Sequence, residues 1–257
     1  MRGFKLFMHA IILPLLMGGF LAAGSTAAAR GPESGLLTRT VTVGNESYTY
    51  QVYVPASLAG KRDVPVILFL HGIGQRGEGG FLPAGGAAGG FVRQYLEQVP
   101  AVALLPQCRK GRYWHDPEME RMVMAELEQT RSEFSADPKR LYLAGVSMGG
   151  FGAWHLAAQH PGRFAALVSI CGGSPLTGGD RFTPIARKVG RTPVWVFHGS
   201  EDRVVPVTES RRMVEALKAV EGSRVRFNEY EGVGHNVWLS VAGEPGLLPW
   251  LLEQRAD

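Results

Sequence analysis

The stretch LYLAGVSMGGFGAWHLA, residues 141–157, decides the fold. It starts with a short apolar run, which is typical of a strand buried on both faces of a parallel sheet. It continues into a segment typical of a helix, and between the two Gly145, Ser147 and Gly149 form the pattern G-x-S-x-G. A strand, a sharp turn and a helix in this order can project a serine hydroxyl above the edge of a sheet. The sequence therefore predicts a strand–turn–helix unit with Ser147 as its reactive residue.

The residues around this serine have local roles in the prediction. Because Gly145 and Gly149 lack side chains, the strand and the helix can approach each other closely. The backbone N–H of Met148 is then free to bind a developing negative charge. The alternative is a glycine-rich turn that performs no chemistry.

Similar apolar runs recur along the chain and alternate with helical patterns. Residues 117–134 and 206–220 carry apolar side chains at helical spacing, and 247–252 fits a C-terminal helix. The alternation predicts an α/β fold with a mostly parallel sheet and helices packed on it. The predicted strands are a hairpin, 41–43 and 48–54, around Gly44-Asn45, followed by 64–70, 101–105, 141–146, 165–170, 194–197 and 225–230.

The composition excludes several classes of protein. A chain of 257 residues that is 45% hydrophobic and 19% charged can bury a full core and is not disordered. Without Arg2 and Lys5 the chain has 25 basic and 23 acidic residues, and this net charge of +2 gives no support for nucleic-acid binding.

Cys108 and Cys171 end predicted strands that are not neighbours, so we expect two buried free thiols rather than a disulfide. A cysteine pair without histidine partners does not predict a metal site, and we expect no metal.

The first 29 residues have the pattern of a secretory signal. Arg2 and Lys5 precede an apolar stretch over 4–23, and small residues follow up to Ala29, the expected cleavage site, with Gly24 as the second choice. The apolar run is near the lower length limit for spanning a bilayer, so an uncleaved membrane anchor is the alternative. We expect residues 30–257 to form a single domain that is secreted or periplasmic, with no stable membrane association after cleavage.

A serine hydroxyl needs a base that is itself held by a third group. In strand–turn–helix folds of this kind the acid and then the histidine follow the serine along the chain. Only His198 and His235 come late enough, and His235, in the loop after the last predicted strand, is our choice for the general base. The remaining internal histidines precede Ser147 or lie on the helix after it: His71, His115, His155 and His160.

The acid should lie between the serine and the histidine, on a loop after a strand. Asp202 fits, and its role would be to fix the imidazole tautomer and stabilise the imidazolium. Other carboxylates nearby are Glu201, Glu229 and Glu231. His198 ends a buried strand, as His71 does, and we expect both to orient loops by hydrogen bonding.

A second donor for the negative charge should come from the loop after the first long buried strand. The backbone N–H of Ile73 is our choice, with Gly74 as the alternative. Residues 72–77 also match G-x-G-x-x-G, the pattern of a dinucleotide site. That site would need a helix to begin at once and an acid at the end of a strand about 20 residues later. Pro83 and further glycines follow instead, so we expect no nucleotide.

Together these motifs resemble the secreted serine esterases of the α/β-hydrolase superfamily, in particular feruloyl esterases, polyhydroxyalkanoate depolymerases and peptidase-like esterases. The resemblance implies the α/β-hydrolase fold with an eight-stranded, mostly parallel sheet and catalytic loops at the carboxyl ends of its strands. It also implies hydrolysis of esters through an acyl-enzyme, without metal or cofactor. The residues that carry it are 69–77, 105–108 with Trp114, 145–154, 170–173, 197–199 with Asp202 and 205–206, and 234–235 with Trp238.

The spacing of the motifs bears on the substrate. Only residues 172–192 separate the predicted sixth strand from the strand before the acid, which is too short for a large lid domain. We expect an open cleft for bulky or polymer-linked esters, with Gln107, Trp114 and Trp238 as candidate lining residues. The alternatives are a peptidase or an acyltransferase with the same triad, and a binding protein without catalytic activity.

Overall fold

A central sheet of eight strands organises the computed structural model, which describes residues 33–77 and 99–257. The first two strands are joined by the predicted turn at Gly44-Asn45. The strands are β1 (Gly35–Val43), β2 (Glu46–Val54), β3 (Val64–Leu70), β4 (Val102–Leu105), β5 (Ala136–Val146), β6 (Ala166–Ile170), β7 (Val194–Gly199) and β8 (Val225–Tyr230).

The order of the strands across the sheet is β1-β2-β4-β3-β5-β6-β7-β8. Strand β2 is antiparallel to both β1 and β4, and every other pair is parallel. The carboxyl ends of β3 to β8 therefore lie at the same edge of the sheet, the edge at which α/β proteins form their sites. The predicted fold class, with a mostly parallel sheet of eight strands, is confirmed.

Helices cover both faces of the sheet. Alternate residues of β3 point to opposite sides, so Leu68 joins one apolar cluster while Ile67 joins the other. The first cluster includes side chains of helices α1 to α4, and the second includes side chains of α5 and α6. The helices are α1 (Pro117–Glu133), α2 (Met148–Gln159), α3 (Thr183–Val189), α4 (Thr208–Lys218), α5 (Trp238–Val241) and α6 (Leu247–Glu253).

The structure extends some of the predicted elements. Strand β5 begins at Ala136 rather than at 141: Ala136 is buried and pairs with Val64, and the partly exposed polar residues 137–140 come before the apolar run. Strand β1 begins at Gly35 rather than at 41, with burial that alternates along its length. The segment 172–192 contains the seven-residue helix α3, which the sequence did not predict.

The described residues test some of the other expectations but not all of them. Cys108 and Cys171 are buried free thiols, as predicted. The proposed signal, residues 1–29, lies outside the described residues, as does most of the glycine-rich stretch 72–90. In the described ranges no helix is both long and apolar enough to cross a membrane.

A carboxyl group is buried under α1 without a partner. Glu126 is fully buried, and neither of its side-chain oxygens has a hydrogen-bond partner among the described residues. Burial therefore raises the pKa of Glu126 well above its usual value of 4.5. Two neutral polar side chains, Tyr50 and Thr130, are also fully buried nearby. The folded protein thus holds this carboxyl in its neutral form.

We predict that Glu126→Gln stabilises the protein increasingly as the pH rises. The unfolded chain ionises this carboxyl above about pH 4.5, whereas the folded chain does not. The wild type therefore loses about 1.4 kcal/mol of unfolding free energy per pH unit between the two pKa values. Denaturant unfolding at pH 4 to 8 should show nearly equal stabilities at pH 4 and a more stable variant at pH 7. Glu215→Gln, which changes an exposed carboxylate on α4, is the control, and a difference independent of pH for Glu126→Gln would contradict the prediction.

Candidate active site

Ser147 lies on the sharp turn between β5 and α2. Its backbone has φ 53° and ψ −120°, in the left-handed region that non-glycine residues rarely adopt. Its N–H donates to Ile170 O (2.8 Å), and its own carbonyl accepts from Gly150 N (2.7 Å) at the start of the helix. The turn is therefore fixed from both sides, and strain of this kind is typical of functional sites.

The glycines of the motif allow this turn to form. A Cβ atom on Gly145 would lie 2.1 Å from Gly149 O, and one on Gly149 would lie 1.9 Å from Leu70 O. No side chain fits at either distance, because α2 passes directly over the ends of β3 and β5. The predicted steric role of both glycines is confirmed.

A second close approach joins the loops that carry Asp202 and His235. A Cβ atom on Gly199 would lie 2.2 Å from Val233 O, and the N–H of Glu201 donates to the same carbonyl oxygen at 3.0 Å. The loops after β7 and β8 are therefore held together by their backbones. This contact places the aspartate and the histidine side by side.

Ser147, His235 and Asp202 form one hydrogen-bonded chain. His235 Nδ1 lies 2.7 Å from Asp202 Oδ2, and His235 Nε2 lies 2.9 Å from Ser147 Oγ. An aspartate that accepts from Nδ1–H leaves the Nε2 lone pair directed at the serine hydroxyl. The structure thus brings together the three residues predicted from motif and chain order.

The Asp202 carboxylate is ionised despite its burial. Its side chain has no exposed surface, and burial alone would raise its pKa. The hydrogen bond from His235 and those from the N–H groups of Val204 (2.8 Å) and Val205 (2.9 Å) outweigh this effect and lower the pKa of Asp202 below its usual value. A buried negative charge is therefore available next to the imidazole.

A second imidazole lies behind this carboxylate. His198 is fully buried, and its Nε2 lies 2.8 Å from Val205 O and 3.2 Å from Asp202 Oδ2. Both neighbours are acceptors, so Nε2 carries the proton, while Nδ1 accepts from the Ser210 hydroxyl at 2.7 Å. The expectation that His198 orients a loop is confirmed. Its contact with the acid was missed, although its position four residues before Asp202 was the available signal.

Among the described residues, one cluster of side chains could hold a metal ion. Cys171, Asp202 and His235 place their ligand atoms within 4.8 Å of one another. The aspartate and the histidine are already bonded to each other, however, and burial raises the pKa of Cys171 to about 12. A thiol must lose its proton to bind a metal. The arrangement therefore favours a proton relay over a metal centre.

The two predicted oxyanion donors, the N–H groups of Met148 and Ile73, lie on different elements next to the serine. Met148 is the first residue of α2, so its N–H has no acceptor within the helix. Ile73 begins a three-residue 3₁₀ turn, and its N–H donates to no backbone carbonyl among the described residues. A Cβ atom on Gly72 would be 3.8 Å from Ser147 Cβ, so this turn lies against the serine. The segment 72–77 thus opens a short turn, not the helix that a dinucleotide site requires.

Two of the three predicted cleft-lining residues do not line a cleft. Trp114 is only 1% exposed and Gln107 only 4%, and both bond to the loop after β3 instead. Their types suggested substrate contact, but the sequence does not show which aromatic or amide side chains are buried. Trp238 is half-buried, and its ring meets the imidazole of His235 edge to face with centroids 5.8 Å apart. Only Trp238 is therefore adjacent to the candidate site.

The remaining histidines lie elsewhere. His155 and His160 contact the two oxygens of Glu120 at 2.7 and 3.0 Å, between α2 and α1. His115 stacks on Tyr113 with ring centroids 5.5 Å apart. None of these contacts involves Ser147, Asp202 or His235.

Comparison with protein families agrees with this geometry. The model of the family described as Phospholipase/Carboxylesterase matches residues 110–241, just over half of the chain and the segment that holds Ser147, Asp202 and His235. The chain belongs to this family. The resemblance to α/β-hydrolase esterases predicted from the motifs is thereby confirmed.

Among curated proteins, the chain is similar to poly(3-hydroxyalkanoate) depolymerase C of Paucimonas lemoignei, with 23% identity over 244 residues, 81% of this chain and 58% of that protein. It is also similar to the bifunctional acetylxylan esterase/xylanase XynS20E of Neocallimastix patriciarum, with 29% identity over 159 residues, 60% of this chain and 21% of that protein. The chain spans about half the length of the curated relatives that it matches first.

Solved structures share the fold of this family member. A thermostable esterase has a TM-score of 0.69 at 29% identity, covering 86% of this chain and 63% of its own. The feruloyl esterase module from Clostridium thermocellum, in complex with sinapinate, has a TM-score of 0.65 at 15% identity, with coverage of 80% and 82%.

Proposed function

We propose that this protein is a serine carboxylesterase that hydrolyses esters through an acyl-enzyme. The observation that carries the proposal is the hydrogen-bonded chain from Ser147 through His235 to Asp202, with distances of 2.9 and 2.7 Å. Membership of a family of phospholipases and carboxylesterases supports it. Esterases among the similar proteins support it further.

In the acylation step, Ser147 Oγ attacks the carbonyl carbon of the ester while His235 Nε2 takes its proton. The carbonyl oxygen becomes an anion, which the N–H groups of Met148 and Ile73 bind. The imidazolium then protonates the leaving alcohol, the bond from carbon to the alcohol oxygen breaks, and an acyl group remains on Ser147. Each donor of this kind typically lowers the activation free energy by about 2.7–4 kcal/mol.

In the deacylation step, water replaces the alcohol. The water oxygen attacks the acyl carbon while His235 accepts a proton from that water. His235 then donates the proton to Ser147 Oγ as the carboxylic acid departs. Asp202 keeps Nδ1 protonated and stabilises the imidazolium in both steps. No group other than these side chains and backbone amides is needed for the proton balance.

The surface around the site suggests large esters as substrates. Among the described residues, five of the six exposed large apolar side chains follow strands that end at the catalytic edge. The connection between β6 and β7 contributes only the short helix α3. Exposed apolar side chains on these connections favour a bulky or polymer-linked ester, which agrees with the names of the depolymerase and acetylxylan esterase relatives. The five are Ile73, Tyr113, Leu176, Val204 and Leu239.

Secretion is also part of the proposal, because residues 1–29 combine a basic start, an apolar stretch and small residues up to Ala29. N-terminal sequencing of the protein recovered outside the cytoplasm should begin at Arg30. A mature chain that retains residues 1–29 would contradict cleavage.

Substitutions in the proposed triad should abolish turnover of p-nitrophenyl esters without unfolding the protein. We expect Ser147→Ala to lower kcat by about 10⁴-fold or more and Asp202→Asn by about 10⁴-fold, because the nucleophile or the required tautomer is lost. Glu201→Gln is the matched control, since it changes an exposed neighbouring carboxylate. A fluorophosphonate probe should label the wild type at Ser147. Absence of labelling, or normal activity of Asp202→Asn, would refute the proposed mechanism.

The wild type should cleave esters faster than peptide amides. We expect p-nitrophenyl butyrate to be hydrolysed faster than peptide p-nitroanilides, and activity on methyl ferulate, acetylated xylan or polyhydroxybutyrate to identify the preferred alcohol or polymer. Faster anilide cleavage would make the protein a peptidase. Transfer of the acyl group to an added alcohol in preference to water would make it an acyltransferase.

A further inference from the structure

We propose that Gln107 and Trp114 are positioning residues that hold the loop 71–77 in place, so that the N–H of Ile73 stays directed at the oxyanion. This inference rests on the proposed esterase function. It assigns to both residues a role other than the substrate contact predicted from the sequence.

Within the described residues, the backbone hydrogen bonds inside the loop are those of one short turn. Its 3₁₀ turn spans only Ile73–Gln75, with hydrogen bonds from Gln75 N to Gly72 O (3.1 Å) and from Arg76 N to Ile73 O (3.3 Å). The side chain of Ile73 is 48% exposed and packs little against the core. A donor on such a turn needs external contacts to keep its direction.

Trp114 supplies one of these contacts and links the loop to α2. Its indole N–H donates to His71 O at 2.9 Å. Its Cβ lies 2.3 Å from where a Cβ atom on Gly152 would be, so the side chain packs directly on the backbone of α2. Helix α2 begins at Met148, which carries one proposed oxyanion donor, and the loop after β3 carries the other. Trp114 contacts both the helix and the loop. Its position therefore sets the spacing between them.

Gln107 supplies the second contact. Its side-chain amide donates to Gln75 O at 2.6 Å and lies 3.3 Å from His71 Nε2. The side chain also fills the space beside Gly77, where a Cβ atom would be 3.4 Å from its Cδ. Both ends of the turn are thus tied to the segment that follows β4.

His71 connects the two contacts. The backbone N–H of Cys108 donates to His71 Nε2 at 3.1 Å, so Nδ1 carries the proton and donates to Gly72 O at 2.7 Å. Burial lowers the pKa of His71 to about 4, which keeps the ring neutral and Nε2 an acceptor near pH 7. One further bond, from Gly77 N to Cys108 O at 2.9 Å, closes the loop against the same segment.

The test compares two substitutions that remove donors but preserve most of the volume with two matched controls. Trp114→Phe removes an indole donor, and its control is Trp195→Phe, which removes the bond from Trp195 Nε1 to Asn228 Oδ1 in the core. Gln107→Met removes an amide donor to a backbone carbonyl, and its control is Gln129→Met, which removes the bond from Gln129 on α1 to Thr40 O on β1. The readouts are kcat and KM for p-nitrophenyl butyrate, thermal unfolding, and the inhibition constant of a trifluoromethyl ketone. The serine adds to that ketone to form an oxyanion.

We expect kcat to fall by about 10- to 100-fold in Trp114→Phe and Gln107→Met while KM changes by less than about 3-fold, because misplaced donors weaken binding of the transition state alone. The inhibition constant of the ketone should rise by a similar factor, and both controls should retain kcat within about 2-fold. Unchanged kcat in both test variants, an equal loss in the controls, or failure of both test variants to fold would overturn the proposal. A wild type that neither hydrolyses esters nor reacts with the fluorophosphonate probe would instead refute the esterase function itself.

Discussion

The contact between α2 and the ends of β3 and β5 is the constraint on which the rest of the site depends. At Gly145 and Gly149 the backbones approach so closely that a single methyl group would collide with a carbonyl oxygen. This contact goes with the left-handed conformation of Ser147 and brings the first turn of α2 against the loop that follows β3. The first N–H of that helix has no acceptor within the helix. The position of Ser147, one proposed oxyanion donor and the support for the other proposed donor are thus connected to one steric feature.

The sequence predicts the parts of the site that are local or follow from chain order. Ser147 is marked by a motif within a strand–turn–helix unit, and Asp202 and His235 follow because parallel strands bring successive loops to one edge. Chain order alone indicates only that Asp202 and His235 lie at the same edge of the sheet. The backbone contact of Gly199 with Val233 brings their two loops together. These parts are predictable because each depends on a short segment whose function can be inferred without the rest of the chain.

Other parts depend on burial, which sequence patterns do not reveal. Trp114 and Gln107 have the side chains of substrate-binding residues, yet their environment makes them supports for a loop. Strand β5 begins at the buried pair of Ala136 with Val64, but the polar residues 137–140, where its pairing with β3 is irregular, interrupt the apolar pattern that predicts a strand. The helix α3 is short and lies within a connection, so its pattern is too brief to separate from a loop.

Two buried carboxyl groups show how the same fold treats charge in opposite ways. Asp202 receives hydrogen bonds from two backbone N–H groups and two imidazoles, and the negative charge is stable there although the side chain is inaccessible to solvent. Glu126 is equally buried but has no such donors among the described residues, so its proton stays on. Since burial penalises both charges, the difference lies in the donors. The loops at the catalytic edge supply those donors because their backbones are free of the sheet, whereas the N–H groups inside α1 are already bonded within the helix. A buried charge can therefore be kept at the edge of this sheet, next to the serine, and is excluded from beneath its helices.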